Sequence, residues 1–143
     1  MDKGPRVIVV EDDESMAEIF VEWIKMSGVE VLGIGYDGKH AVELFEELHP
    51  DVVILDLMMP IFDGFYAIDG IQKLDKDAKF LILTADMTEK TKARLDSLNI
   101  KSLMYKPYDL DDVTKEVKRL GSKLVTQRSD HYTSFTTRID FVD

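Results

Sequence analysis

Pro50-Asp51-Val52-Val53-Ile54-Leu55-Asp56-Leu57-Met58-Met59-Pro60 is the stretch on which the fold turns. Four consecutive apolar residues run into one carboxylate and then into a loop marked by proline. A half-buried strand alternates apolar and polar residues. This run is apolar throughout, as a parallel strand is when helices cover both its faces. Residues 7–10 and 80–83 are continuously apolar in the same way, and weaker runs stand at 29–32 and 103–105.

Amphipathic segments fill the intervals. Met16, Ile19, Phe20, Trp23 and Ile24 fall on one helical face, as do Ala41, Phe45 and Leu48 on a second helix. Ala67, Ile68, Ile71 and Leu74 make a third stripe, and Leu110, Val113, Val117 and Leu120 a fourth. Residues 89–98 are poorer in apolar side chains and predict a more exposed helix. Ser27-Gly28, Asp37-Gly38, Pro50-Asp51 and Asn99 stand where elements should end, and Asp109 can cap the last helix. Five strands alternating with five helices predict an α/β fold, one doubly wound parallel sheet with helices on both faces.

Composition narrows the function. A chain of 143 residues is about one domain, and with 45% apolar residues it needs no covalent staple. It has no cysteine, which excludes a disulfide scaffold, a thiol nucleophile and cysteine zinc sites, and suits a cytoplasmic location. No apolar run is long enough to span a bilayer, and residues 7–10 stop at once in Glu11-Asp12-Asp13-Glu14, unlike a signal peptide. Twenty-eight acids against 18 bases give a net charge of −10, which repels a nucleic-acid backbone. His40, His49 and His131 lack metal-ligand spacing.

In an open α/β sheet the chemistry sits after the C-terminal ends of the strands. Glu11, Asp12 and Asp13 follow the first strand, Asp56 ends the third, Thr84 ends the fourth, and Lys106 follows the fifth. With strands one and three adjacent, the carboxylates converge and repel one another. A hard divalent cation with oxygen ligands, Mg²⁺ above all, resolves that repulsion. Such a cation and Lys106 would bracket a phosphoryl group, with Thr84 donating to it and Asp56 as nucleophile. Taken singly these residues read as helix caps, turn residues and solvated lysine; it is their joint order along one edge that points to phosphoryl chemistry.

The chain resembles the receiver domain of two-component response regulators, of the stand-alone kind used in chemotaxis, over residues 6 to 120. The resemblance rests on Val7-Ile8-Val9-Val10-Glu11-Asp12, Asp37-Gly38, Pro50 through Asp56, Pro60, Gly64, Thr84-Ala85 and Lys106-Pro107. It implies a flavodoxin-like sheet of order 2-1-3-4-5 and a phosphoryl group passed to Asp56 from a histidine kinase or phosphotransfer protein. It also implies Mg²⁺ held by Asp12, Asp56 and the backbone carbonyl of Met58, with Glu11 acting through water, and a downstream protein target. Thr84 and Lys106 would bind the phosphoryl oxygens. The family's switch aromatic usually stands three residues before the lysine, where this chain has Leu103. Tyr105 lies two residues on and faces the same side of the sheet, so Thr84, Leu103 and Tyr105 are the switch candidates. In this family the residues two beyond Asp56 and two beyond Thr84 flank the path of hydrolytic water; here they are Met58 and Asp86.

Three rival readings fit the residues less well. Gly33-Ile34-Gly35-Tyr36-Asp37-Gly38 matches a dinucleotide-binding motif, but a complete strand–helix unit precedes it, and that motif belongs to the first such turn. An aspartyl-phosphate phosphatase needs an acid two residues after its nucleophile, and Met58 moves no protons. A receiver-like scaffold independent of phosphorylation has no need of the acid–Thr–Lys set. The expectation is therefore a signalling switch rather than an enzyme with a diffusible substrate. Residues 1–120 form the domain. Residues 121–143 are an extension with three bases, three acids and a strand-like alternation from Arg138 to Val142, suited to partner docking or a homodimer contact.

Overall fold

The computed structural model describes residues 4–122. The elements run β1 (Arg6–Val10), α1 (Glu14–Met26), β2 (Glu30–Gly35), α2 (Gly38–Leu48), β3 (Val52–Asp56), α3 (Gly64–Leu74), β4 (Phe80–Thr84), α4 (Glu89–Ser97), β5 (Leu103–Tyr105) and α5 (Leu110–Leu120). All pairings are parallel and the sheet order is β2-β1-β3-β4-β5, as expected.

Because side chains alternate along a strand, each apolar run serves two cores. Ile8, Val10, Val53, Leu55, Phe80 and Ile82 face α2, α3 and α4. Val7, Val9, Val52, Ile54, Leu81 and Leu83 face α1 and α5. The strands are apolar throughout because neither face meets water. Helix starts are fixed by acids: Asp13, Asp37, Asp63 and Asp109 each accept a backbone N–H from the first turn of α1, α2, α3 and α5. Asn99 takes the left-handed conformation at φ 63° after α4, and α4 buries only Leu95, as its composition predicts.

Three expectations need correction. The face of α1 turned to the sheet is Ala17, Val21 and Ile24, not the stripe of Met16, Ile19 and Trp23, each of which is more than half exposed. Small Ala17 lets the helix lie close over the strands, so the larger side chains flank the contact and Phe20 sits at its margin. Leu74 is also about half exposed, because α3 ends there and the chain turns toward β4. Finally, β2 extends to Gly35 rather than stopping at Leu32, with an irregularity in its pairing to β1 between Val7 and Ile8. Gly33 and Gly35 are therefore strand residues packed against Leu44, Leu48 and Ala41 of α2, not a phosphate-binding loop. The alternation from Arg138 to Val142 and the role given to 121–143 lie outside the described residues, apart from Gly121 and Ser122.

Gly38 starts α2 in close contact with the loop before α3. Its N–H donates to the Phe62 carbonyl at 2.7 Å, and a Cβ there would stand 2.3 Å from the Asp63 oxygen. Gly38→Ala is expected to destabilise the domain by about 1–3 kcal/mol, measured by urea unfolding, because backbone rather than a flexible side chain must give way. An unchanged unfolding midpoint would show that this contact is not tight.

Candidate functional site

Val10 of β1 pairs with Leu55 of β3, so the residues that follow both strands leave the sheet side by side. Glu11, Asp12 and Asp56 each bring a carboxylate oxygen within 4.8 Å of the others. Asp13 is not part of this cluster. Its Oδ1 accepts the Met16 N–H at 3.0 Å and caps α1.

Asp56 is buried between two donors. Its Oδ1 accepts the Met58 N–H at 3.0 Å, and its Oδ2 accepts Lys106 Nζ at 3.0 Å. Lys106 also lies 3.8 Å from Glu11 Oε1. Burial works to lower the lysine pKa, but the hydrogen bond and charge of Asp56, with the charge of Glu11, outweigh it and hold the pKa above its usual value. Lys106 is thus a fixed cation. The loop that presents Met58 is closed by Gly64, whose N–H donates to the Leu57 carbonyl at 2.9 Å. A Cβ on Gly64 would lie 2.6 Å from Leu57 Cα.

Glu11 carries the opposite stress. Burial pushes its pKa up to about 7, and the neighbouring Asp12 and Asp56 carboxylates add to the shift. The Asp13 N–H, which donates to Glu11 Oε2 at 3.0 Å, and Lys106 oppose it. Three hard oxygen donors, one of which keeps its proton to near neutrality, form a site short of positive charge. A small hard divalent cation such as Mg²⁺ fits that donor set.

Thr84 ends β4 fully buried, with its Oγ1 accepting the Asp86 N–H at 3.0 Å. The Lys106 N–H donates to the Thr84 carbonyl at 2.9 Å, which ties the two residues across adjacent strands. Asp86 faces its own commitments. Its Oδ2 accepts the Thr91 hydroxyl at 2.6 Å and its Oδ1 the Thr88 N–H at 2.9 Å, and these bonds, Thr91 first, hold its pKa below the ordinary carboxylate value. Leu103 is buried, Tyr105 is half-buried beside it in the same core, and Tyr105 pairs with Thr84. Met58 projects outward and is exposed.

Sequence reasoning missed Tyr108. Its ring meets Phe20 of α1 edge-on at 6.2 Å, and burial raises the pKa of its hydroxyl while Lys106 draws it down. An aromatic directly after Lys106-Pro107 was the available signal.

The sequence profile of the response regulator receiver domain matches residues 7–118. The chain is 31% identical over 118 residues to the chemotaxis protein CheY of Thermotoga maritima, covering 82% of this chain and 98% of that protein. It is 29% identical over 123 residues to the transcriptional regulatory protein PrrA of Mycobacterium leprae, covering 84% of this chain and 52% of that one. Among solved structures, the non-phosphorylated HemR receiver domain from Leptospira biflexa matches with a TM-score of 0.73 at 30% identity, over 82% of this chain and 94% of that one.

The raised pKa of Glu11 sets a pH dependence. The folded chain holds this proton up to about pH 7, whereas the unfolded chain releases it in the ordinary carboxylate range. The folded state therefore gains while the proton is on, and loses that gain as pH rises through about 7. In metal-free buffer, Glu11→Gln is expected to raise the melting temperature over the native chain at pH 8 and to give a smaller gain at pH 5. Equal gains at both values would show that Glu11 titrates normally.

Proposed function

The chain belongs to the receiver-domain family of response regulators, and from that premise we propose that Asp56 is its phosphoacceptor. Receiver domains are signalling proteins of two-component systems rather than classical enzymes. The observation that carries the assignment is the placement of Asp56, pinned by the Met58 N–H and Lys106 Nζ beside Glu11 and Asp12.

An Asp56 oxygen attacks the phosphorus of a phosphohistidine. A P–O bond forms as the P–N bond breaks, and the imidazole leaves with a proton from solvent. Lys106 then turns its ammonium from the lost carboxylate charge to the phosphoryl oxygens, and the Thr84 hydroxyl donates to them. Glu11 through water, Asp12, Asp56 and the Met58 carbonyl would hold Mg²⁺, which when bound would supply positive charge to offset that of the carboxylates and the phosphoryl group. Thr84, Leu103 and Tyr105 would carry the change toward the β4–α4 region. The chain catalyses only its own phosphorylation and dephosphorylation on this reading. Its donors are a histidine kinase or a phosphotransfer protein, its output is a protein, and its compartment is the cytoplasm. Among the described residues no helix is long and apolar enough to cross a membrane.

The phosphatase reading has no support here, since the position two beyond Asp56 is an exposed methionine. A phosphorylation-independent scaffold leaves unexplained why Lys106 is held against Asp56.

Incubation with Mg²⁺ and acetyl phosphate is expected to label the native chain with acid-labile phosphate, and chelation should abolish the signal. Asp56→Asn is expected to drop labelling to background while the near-isosteric swap preserves the fold by circular dichroism. Labelling of that variant at the native level would overturn the assignment.

The phosphoryl group should be long-lived. Met58 offers no strong donor or acceptor to orient an attacking water. The carboxylate of Asp86, the other residue expected to flank the water path, is engaged at the start of α4, so the weight falls on Met58. Met58→Asn is expected to shorten the lifetime several-fold, followed by the decay of labelled protein. A lifetime unchanged or lengthened would sink this reading.

A further inference from the structure

Sulfur occurs in this chain only as methionine, since there is no cysteine. Met16, Met26, Met58 and Met87 are exposed, while Met59 and Met104 are buried, one in each core. Met58 differs from the other exposed three in how its backbone is held. Its N–H donates to Asp56 Oδ1 at 3.0 Å. The loop that carries it is pinned on either side: the Leu57 carbonyl accepts the Gly64 N–H at 2.9 Å, and the Phe62 carbonyl accepts the Gly38 N–H at 2.7 Å. The Met58 side chain therefore leaves the backbone at a fixed point next to the Asp56 carboxylate, and the residue is 62% exposed. Its neighbour Met59, 7% exposed, packs into the core instead.

We propose that Met58 is a redox-responsive modification site: peroxide converts its thioether to the sulfoxide, and the new oxygen beside Asp56 hastens hydrolysis of a phosphoryl group carried there. A sulfur lone pair attacks one oxygen of hydrogen peroxide and the O–O bond breaks. The departing hydroxide takes the proton from the transferred oxygen and leaves as water. Sulfur is oxidised by two electrons and the peroxide is reduced by two.

The modification changes the character of the side chain without changing its charge. A thioether is a weak hydrogen-bond acceptor, whereas a sulfoxide is polar and accepts strongly. The charges of Glu11, Asp12, Asp56 and Lys106 stay as they were, so what the site gains is a place to hold water. A water that donates one O–H to the sulfoxide keeps a lone pair for phosphorus. As its bond to phosphorus forms, the P–O bond to Asp56 breaks. The carboxylate is restored, and both protons of the water go with the released phosphate. Met58→Asn is expected to shorten the lifetime for the same reason. The effect on the lifetime rests on Asp56 being the phosphoacceptor, whereas the oxidation of Met58 does not.

The native full-length chain and Met58→Leu are treated with hydrogen peroxide at a level where peptide masses show Met59 and Met104 unoxidised, so that the buried cores are intact. Both are then labelled with acetyl phosphate and Mg²⁺, and the decay of the label is followed. The native chain is expected to carry the sulfoxide at Met58 and to lose its label several-fold faster than before peroxide. Met58→Leu is expected to keep its own lifetime through the same treatment, although Met16, Met26 and Met87 oxidise in both chains. Reduction by the two methionine sulfoxide reductases, one for each epimer, with a dithiol as reductant, should return the native chain to its original lifetime. Met58 that remains a thioether while Met26 is oxidised overturns the proposal. So does an unchanged lifetime in a chain oxidised at Met58, or an equal shortening in Met58→Leu. A native chain that takes up no acid-labile phosphate before peroxide is instead the failure of the Asp56 assignment, and it removes the effect on the lifetime with it.

Discussion

The parallel pairing of β1 with β3 is the constraint on which the rest of the structure depends. Parallel neighbours cannot be joined by a hairpin, so the chain must cross over through helices, and those helices cover both faces of the sheet. Covered faces demand strands that are apolar on both sides. The same pairing sets Val10 against Leu55 and so delivers Glu11, Asp12 and Asp56 to one spot. The hydrophobic core and the acidic cluster are consequences of a single choice of neighbours.

The cluster is balanced rather than neutral. Lys106 answers the charge of Asp56 directly and that of Glu11 at a longer distance, and Glu11, pushed up first by burial and further by the neighbouring carboxylates, holds a proton to about pH 7. A site in this condition responds to any added charge of either sign. A cation would relieve it, and on the proposed reading a phosphoryl group would rearrange it around a lysine already in position.

Much of this was legible in the sequence because it depends on strand ends. A continuously apolar run fixes its own direction and end, and the residue after that end is then placed by topology, as with Asp56, Thr84 and Lys106. Helix faces were less legible. Met16, Ile19 and Trp23 satisfy the same periodicity as Ala17, Val21 and Ile24 a few positions away, and periodicity does not say which stripe meets the sheet. Close approach decided it, and Ala17 was the residue that mattered. The extent of β2 was hidden because Gly33 and Gly35 break the apolar run that ends at Leu32, although both lie under α2. A buried polar cluster near the end of α5 left no signal at all. Glu116 receives the Ser102 hydroxyl and both Nε and a terminal nitrogen of Arg119, at 2.9 and 2.7 Å for the arginine. In sequence Glu116 is one acid among many on a charged helix, and only the packing of α5 on β5 buries it.

The shallow seating of α4 has a consequence for how cheaply information passes through this molecule. A single buried leucine and the stacking of Arg94 over the Phe65 ring, 3.7 Å to its centroid, fasten the helix to the body. Few buried contacts mean a small free-energy gap between its resting pose and neighbouring ones. Its first turn is tethered through Asp86, whose N–H donates to the Thr84 hydroxyl, so a sub-ångström change at that hydroxyl would act on the least expensive element to move. The sheet, with its doubly buried strands, would be the fixed frame against which such a displacement is read.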